Sequence, residues 1–188
     1  MTQRLTVEAH AAQRIAFASV VIAVIVYVAL AGWILDLSIL TSWVPGAMTM
    51  KPATCVTFLL LLGSGRDTGR LALLVGAAAM VVGSMLIWIG VWPPLALIPI
   101  TDGHMTSAQA PMSMMTACCL VAAMIARFAH GHYRMGIVYG YLTLTLIALV
   151  SQWPVPEPLS APASMAIPTA ICLWLYALIL SEDYGRHI

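Results

Sequence analysis

Apolar residues run along this chain in long unbroken stretches, with polar residues gathered between them. That pattern is neither the 3.6-residue periodicity of a surface helix nor the two-residue alternation of a half-exposed strand. A helix that is apolar on every side belongs in a membrane or a large core, and about 20 such residues cross a bilayer. Three segments reach that length: Ile15–Leu35, Leu71–Trp92 and Met135–Trp153. Three shorter ones, Gly46–Gly63, Pro111–Ala126 and Ala163–Leu180, follow them in alternation. At 1.5 Å per residue, runs of about 16–18 residues cover roughly 24–27 Å, near the lower limit for crossing. The pattern predicts an all-α polytopic membrane protein with six transmembrane helices in one domain, 1–188. Its helices pair as three repeated hairpins over residues 14–63, 70–126 and 134–180.

Composition supports a bilayer as the solvent. Hydrophobic residues make up 62% and charged residues only 8%, against about 25% charged in soluble domains. A net charge of +1 gives no field to attract nucleic acid. The first apolar run is too long for a signal-peptide core and no small-residue cleavage site follows it, so it is expected to be retained. The few charges carry an orientation. Arg4, Arg14, Arg66, Arg70, Arg127, Arg134 and Arg186 all fall on one side of the predicted spans, and the single lysine, Lys51, on the other. Basic residues mark the cytoplasmic side, so both termini are expected in the cytoplasm. Trp33, Trp43, Trp88, Trp92 and Trp153 gather towards the opposite ends, where an aromatic belt would sit.

The hairpins repeat in detail. Each begins at an arginine and reaches its outer end at a tryptophan: Arg14 to Trp33, Arg70 to Trp92, Arg134 to Trp153. Proline follows in each outer loop, at Pro45, Pro93–Pro94 and Pro154. The return helices carry Ala-x-Cys at Ala53–Cys55, Ala117–Cys119 and Ala170–Cys172, with methionines ahead of them at Met48 and Met50, at Met112, Met114 and Met115, and at Met165. Small residues there let neighbouring helices approach closely. A sharper reading is an outer-side pocket where the three return helices start, built from Met48, Lys51, Pro52, Cys55, Cys119, Met165, Pro168 and Cys172. Pro52 and Pro168 would free carbonyls one turn earlier, at Met48 and Ser164, and such carbonyls in lipid need partners or a cavity.

The stretches Gly32-Trp33-Ile34-Leu35-Asp36 and Val44-Pro45-Gly46-Ala47-Met48-Thr49-Met50-Lys51-Pro52-Ala53-Thr54 resemble the N-terminal membrane-sensor region of bacterial histidine kinases and diguanylate cyclases. Return helices in that region begin with a motif like Met-x-Pro-Asn-Thr-Ala-Leu, and Ser164-Met165-Ala166-Ile167-Pro168-Thr169-Ala170 is similar to it again. Ala53 stands where the family commonly has a polar amide. The resemblance implies repeated hairpins in a bacterial inner membrane and a sensing role. Only Ser181–Ile188 follow the last apolar segment, so the expectation is a module without an output domain that acts through a protein partner.

Candidate chemistry is sparse. All five histidines (His10, His104, His130, His132 and His187) fall in termini or loops, which disfavours a haem held between facing helices. The four cysteines lie in apolar stretches and read as reduced, buried thiols. The sharpest metal candidate is thioether-rich: His104 and Met105 with Met112, Met114 and Met115, a donor set suited to Cu(I), although methionine also serves as flexible packing. No carboxylate pair, nucleophile motif or phosphate-binding glycine loop is present. The expectation is therefore a non-enzymatic, sensor-like or accessory membrane subunit without a committed cofactor, its partners being the lipid bilayer and a larger membrane complex. The alternative is a small-molecule or Cu(I) binder or permease using the outer pocket.

Overall fold

The computed structural model describes residues 2–43, 48–64, 70–88, 112–129, 131–150 and 165–185. Among them there are seven helices and no strand: α1 (Thr2–Ile34), α2 (Ser38–Ser42), α3 (Pro52–Gly63), α4 (Arg70–Trp88), α5 (Met114–Phe128), α6 (His132–Val150) and α7 (Ile167–Gly185). The described residues are thus all-helical, as the pattern predicts. Among the described residues two stretches are long and apolar enough to cross a membrane, Ala9–Ile34 within α1 and His132–Val150; the remaining apolar helices are shorter.

Helix ends depart from the hydropathy boundaries for local reasons. α1 continues back to Thr2, because nothing in the polar residues before Ile15 breaks a helix. At its other end Asp36 adopts φ 55°, and the Leu37 amide donates to the Gly32 carbonyl at 2.8 Å. This is a Schellman-type stop, with aspartate in the left-handed position that glycine usually holds. The short α2, which hydropathy did not reveal, then ends at Trp43, φ 66°. α3 starts later than expected, at Pro52, because proline is pre-organised for the first helical position and cannot continue a helix from before it. α5 starts at Met114, where the Ser113 hydroxyl accepts from the Thr116 amide at 3.2 Å.

Burial separates the long helices from the return helices. α1 buries Ala11, Ala18, Ile22, Ile25, Val26, Ala29 and Gly32; α4 buries Leu74, Ala77, Val81 and Ser84; α6 buries Arg134, Val138, Tyr141, Thr145 and Ala148. Each is a single stripe at three- and four-residue steps, the seam of a helix packed on one side only. The return helices are buried more broadly, α7 through Pro168, Thr169, Ala170, Cys172, Leu173, Tyr176, Ala177, Ile179 and Leu180.

Helix contacts close into a ring in the order α1, α3, α4, α5, α6, α7 and back to α1, with α5 also touching α7. Every long helix therefore lies between two return helices. Outward the long helices present Phe17, Tyr27, Leu71, Val75, Tyr133 and Tyr139, each more than half exposed. At the arginine-bearing end two contacts tie the first hairpin to the others. Arg14 pairs with Glu182 at 3.0 Å, and the Arg127 guanidinium donates to the Ser64 carbonyl at 3.5 Å.

Candidate functional site

The starts of the three return helices share one local structure. A methionine precedes each helix by two residues: Met50 before Pro52, Met112 before Met114, and Met165 before Ile167. All three methionines are buried, at 1%, 0% and 1% exposure. The first turns close in the same register, Cys55 N to Lys51 O, Ala117 N to Ser113 O and Ala170 N to Ala166 O, at 3.1, 2.9 and 3.0 Å.

That register corrects the repeat read from sequence. Counted from the methionine, the fourth residue is threonine each time (Thr54, Thr116, Thr169), the fifth is small (Cys55, Ala117, Ala170) and the seventh is Thr57, Cys119 or Cys172. All nine are buried. The equivalent positions are thus Met-x3-Thr-small-x-Cys/Thr, and Ala53-x-Cys55 sits two residues ahead of Ala117-x-Cys119 and Ala170-x-Cys172. An identical tripeptide pattern had masked a shifted alignment.

The first start is held by the turn that precedes it. The Met50 amide donates to the Thr41 carbonyl at 2.8 Å, and the Trp33 indole N–H donates to the Met50 carbonyl at 2.7 Å. The Lys51 ammonium lies 5.4 Å from the centre of the Trp33 ring, a cation–π contact. The α1 tryptophan therefore fixes the first residues of the return helix. Met48 precedes this arrangement outside any helix, so Pro52 frees no helical carbonyl at Met48: a proline at the first helical position lacks only an N–H that would have had no intrahelical partner.

Deeper in, polar groups join three helices. The Cys119 thiol of α5 lies 3.9 Å from the Tyr141 carbonyl and 3.8 Å from the Thr145 hydroxyl of α6. Thr145 donates back to the Tyr141 carbonyl at 2.8 Å, and the Tyr141 hydroxyl donates to the Leu173 carbonyl of α7 at 3.4 Å. These groups are buried and satisfy one another, which is how polar side chains survive away from water.

The residues singled out from sequence separate accordingly. Pro52, Cys55, Cys119, Met165, Pro168 and Cys172 are buried, Lys51 is half-buried, and Met48 is exposed. Among the metal candidates, Met112 points inward at 0% exposure while Met114 faces outward at 42%; Met115 is half-buried. His104 and Met105 lie outside the described residues. Sequence reading passed over Thr54, Thr116 and Thr169, although the constant Met-to-Thr spacing was there to be found. It also passed over the Arg14–Glu182 pair, which joins residues from opposite ends of the chain. Compared with known protein families, curated proteins and solved structures, the chain matches none.

Proposed function

We propose that this protein is a non-enzymatic, sensor-like or accessory subunit of a bacterial inner membrane. It crosses the membrane six times with both termini in the cytoplasm, and works by lateral association with a larger membrane complex or signalling protein. The observation that carries this reading is the division of surfaces in the helical ring. The repeated methionine, threonine and cysteine positions are buried in the packing between helices. The long helices turn broad apolar faces with large aromatic residues outwards. Lipid satisfies such a face, and so does another transmembrane helix.

The six-span arrangement is supported by the alternation of arginine and tryptophan along the chain and by the ring itself, in which successive long and return helices are neighbours. Its resemblance to repeated-hairpin sensor regions points the same way.

The test is extraction of the tagged protein from native membranes in a mild detergent, followed by size-exclusion chromatography and mass spectrometry. Co-elution with one defined integral membrane protein, reproduced after cross-linking in intact cells, is the expected result. Elution of the chain alone under both conditions would overturn the association.

A further inference from the structure

Two apolar grooves flank the arginine-side half of α7. One, of about 330 Å³, runs between α1 and α7 and is lined by Gln13, Arg14, Phe17, Leu175 and Glu182 among others. The second, of about 540 Å³, runs between α6 and α7 past Tyr139, Leu142, Leu146, Trp174 and Ser181. Leu178 lines both, so the grooves meet at the face of α7 that carries it. Among the described residues, the mouth of the smaller groove carries one cation and one anion, Arg14 and Glu182, 3.0 Å apart, with Arg14 two-thirds exposed.

We propose that this face seats one diacyl phospholipid with a primary-amine zwitterionic headgroup, its two chains lying in the grooves on either side of Leu178. The phosphate sits on Arg14 and the ammonium on Glu182. The inference rests on the six-span reading, which puts Arg14 and Glu182 at the cytoplasmic membrane surface.

Charge complementarity selects this occupant. The ion pair joins Nη1 of Arg14 to Oε1 of Glu182, and a guanidinium has more donors, and a carboxylate more lone pairs, than one such contact engages. The other donors of Arg14 suit a phosphate, and the second carboxylate oxygen suits an N–H donor. An anionic headgroup without an amine would set two negative charges, its phosphate and the Glu182 carboxylate, against the single charge of Arg14. A choline headgroup offers positive charge but no N–H to donate. Twin grooves match two hydrocarbon chains, and each methylene leaving water or a looser environment adds to binding.

The experiment uses the full chain in detergent, incubated with equal amounts of phosphatidylethanolamine, phosphatidylcholine and phosphatidylglycerol of identical chains, and read by native mass spectrometry. Wild type should retain one phosphatidylethanolamine at least ten-fold over either competitor. Glu182→Gln should reduce that preference to two-fold or less, Glu182→Asp should keep it, and Leu178→Trp should lower retention of all three lipids ten-fold. Equal retention of the three lipids by wild type overturns the proposal, whatever the variants do, as does a preference for phosphatidylglycerol. So does Leu178→Trp changing the oligomeric mass while leaving lipid retention intact, since the face would then be covered by protein. Because the readout is headgroup preference in detergent, it fails separately from the six-span reading, which labelling in cells tests.

Discussion

At Gly32 the chain turning out of α1 comes back against the helix it has just left. A Cβ there would lie 2.7 Å from the Leu40 Cβ, 2.9 Å from a Thr41 methyl and 3.1 Å from the Leu37 carbonyl. Two of these are fixed by the backbone, so the turn itself would have to move. Gly32→Ala is expected to cost about 1–3 kcal/mol, the range for overpacking a closed site, seen as a lower midpoint of thermal unfolding in detergent. Its neighbour Trp33 acts through chemistry instead of volume. Replacing it with phenylalanine keeps the ring but removes the N–H to the Met50 carbonyl, with an expected loss of about 1–2 kcal/mol. Combining Trp33→Leu, which removes the aromatic face, with Lys51→Met tests the cation–π contact: the two effects should fall short of additive, because the ammonium and the indole meet directly.

Helix starts show what could and could not be read from sequence. The three return helices were visible as apolar runs, and their methionines and cysteines as a repeat. Their first residues were not, because hydropathy does not distinguish an apolar helix from the apolar strap that leads into it. Capping does: Pro52 and Ser113 fix where α3 and α5 begin. The buried stripe of α1 was equally hidden, since a helix that is apolar all round shows no face until its neighbours are known. Ser113→Ala is expected to destabilise by about 1 kcal/mol, the usual cost of losing such a cap, while Lys51→Ser should not do so through capping, as Lys51 makes no side-chain cap bond. Chemical denaturation monitored by helical circular dichroism checks both. Within the candidate site, sequence revealed the residue types but not their company: that Cys119 meets Thr145 and Tyr141 follows from the packing of α5 on α6, which no local pattern encodes.

For the whole molecule, the difficulty to resolve is how helices as short as α3 could cross. Its 12 residues would span about 18 Å at 1.5 Å per residue, well short of a hydrocarbon core of about 30 Å. The ring offers a physical answer. α3 is flanked by α1 and α4 and most of its residues are buried, so the protein around it can accommodate the non-helical strap from Met48 to Lys51. Irregular backbone is tolerated at membrane depth when protein covers it and its polar groups are paired, as the bonds from Met50 to Thr41 and from Trp33 to Met50 pair them. This makes the topology testable by thiol labelling once the exposed native cysteine is removed: three of the four cysteines are buried, and Cys118 faces outward as the fifth residue of α5. In a Cys118→Ser background a membrane-impermeant maleimide should give no labelling in intact cells. Ser38→Cys, in the turn after α1, should label in intact cells, and Gly131→Cys, between α5 and α6, only after the inner membrane is opened. Labelling of Gly131→Cys in intact cells, or of Ser38→Cys only after permeabilisation, would reverse the orientation; labelling of both from one side would remove a crossing between them and with it the three-hairpin arrangement.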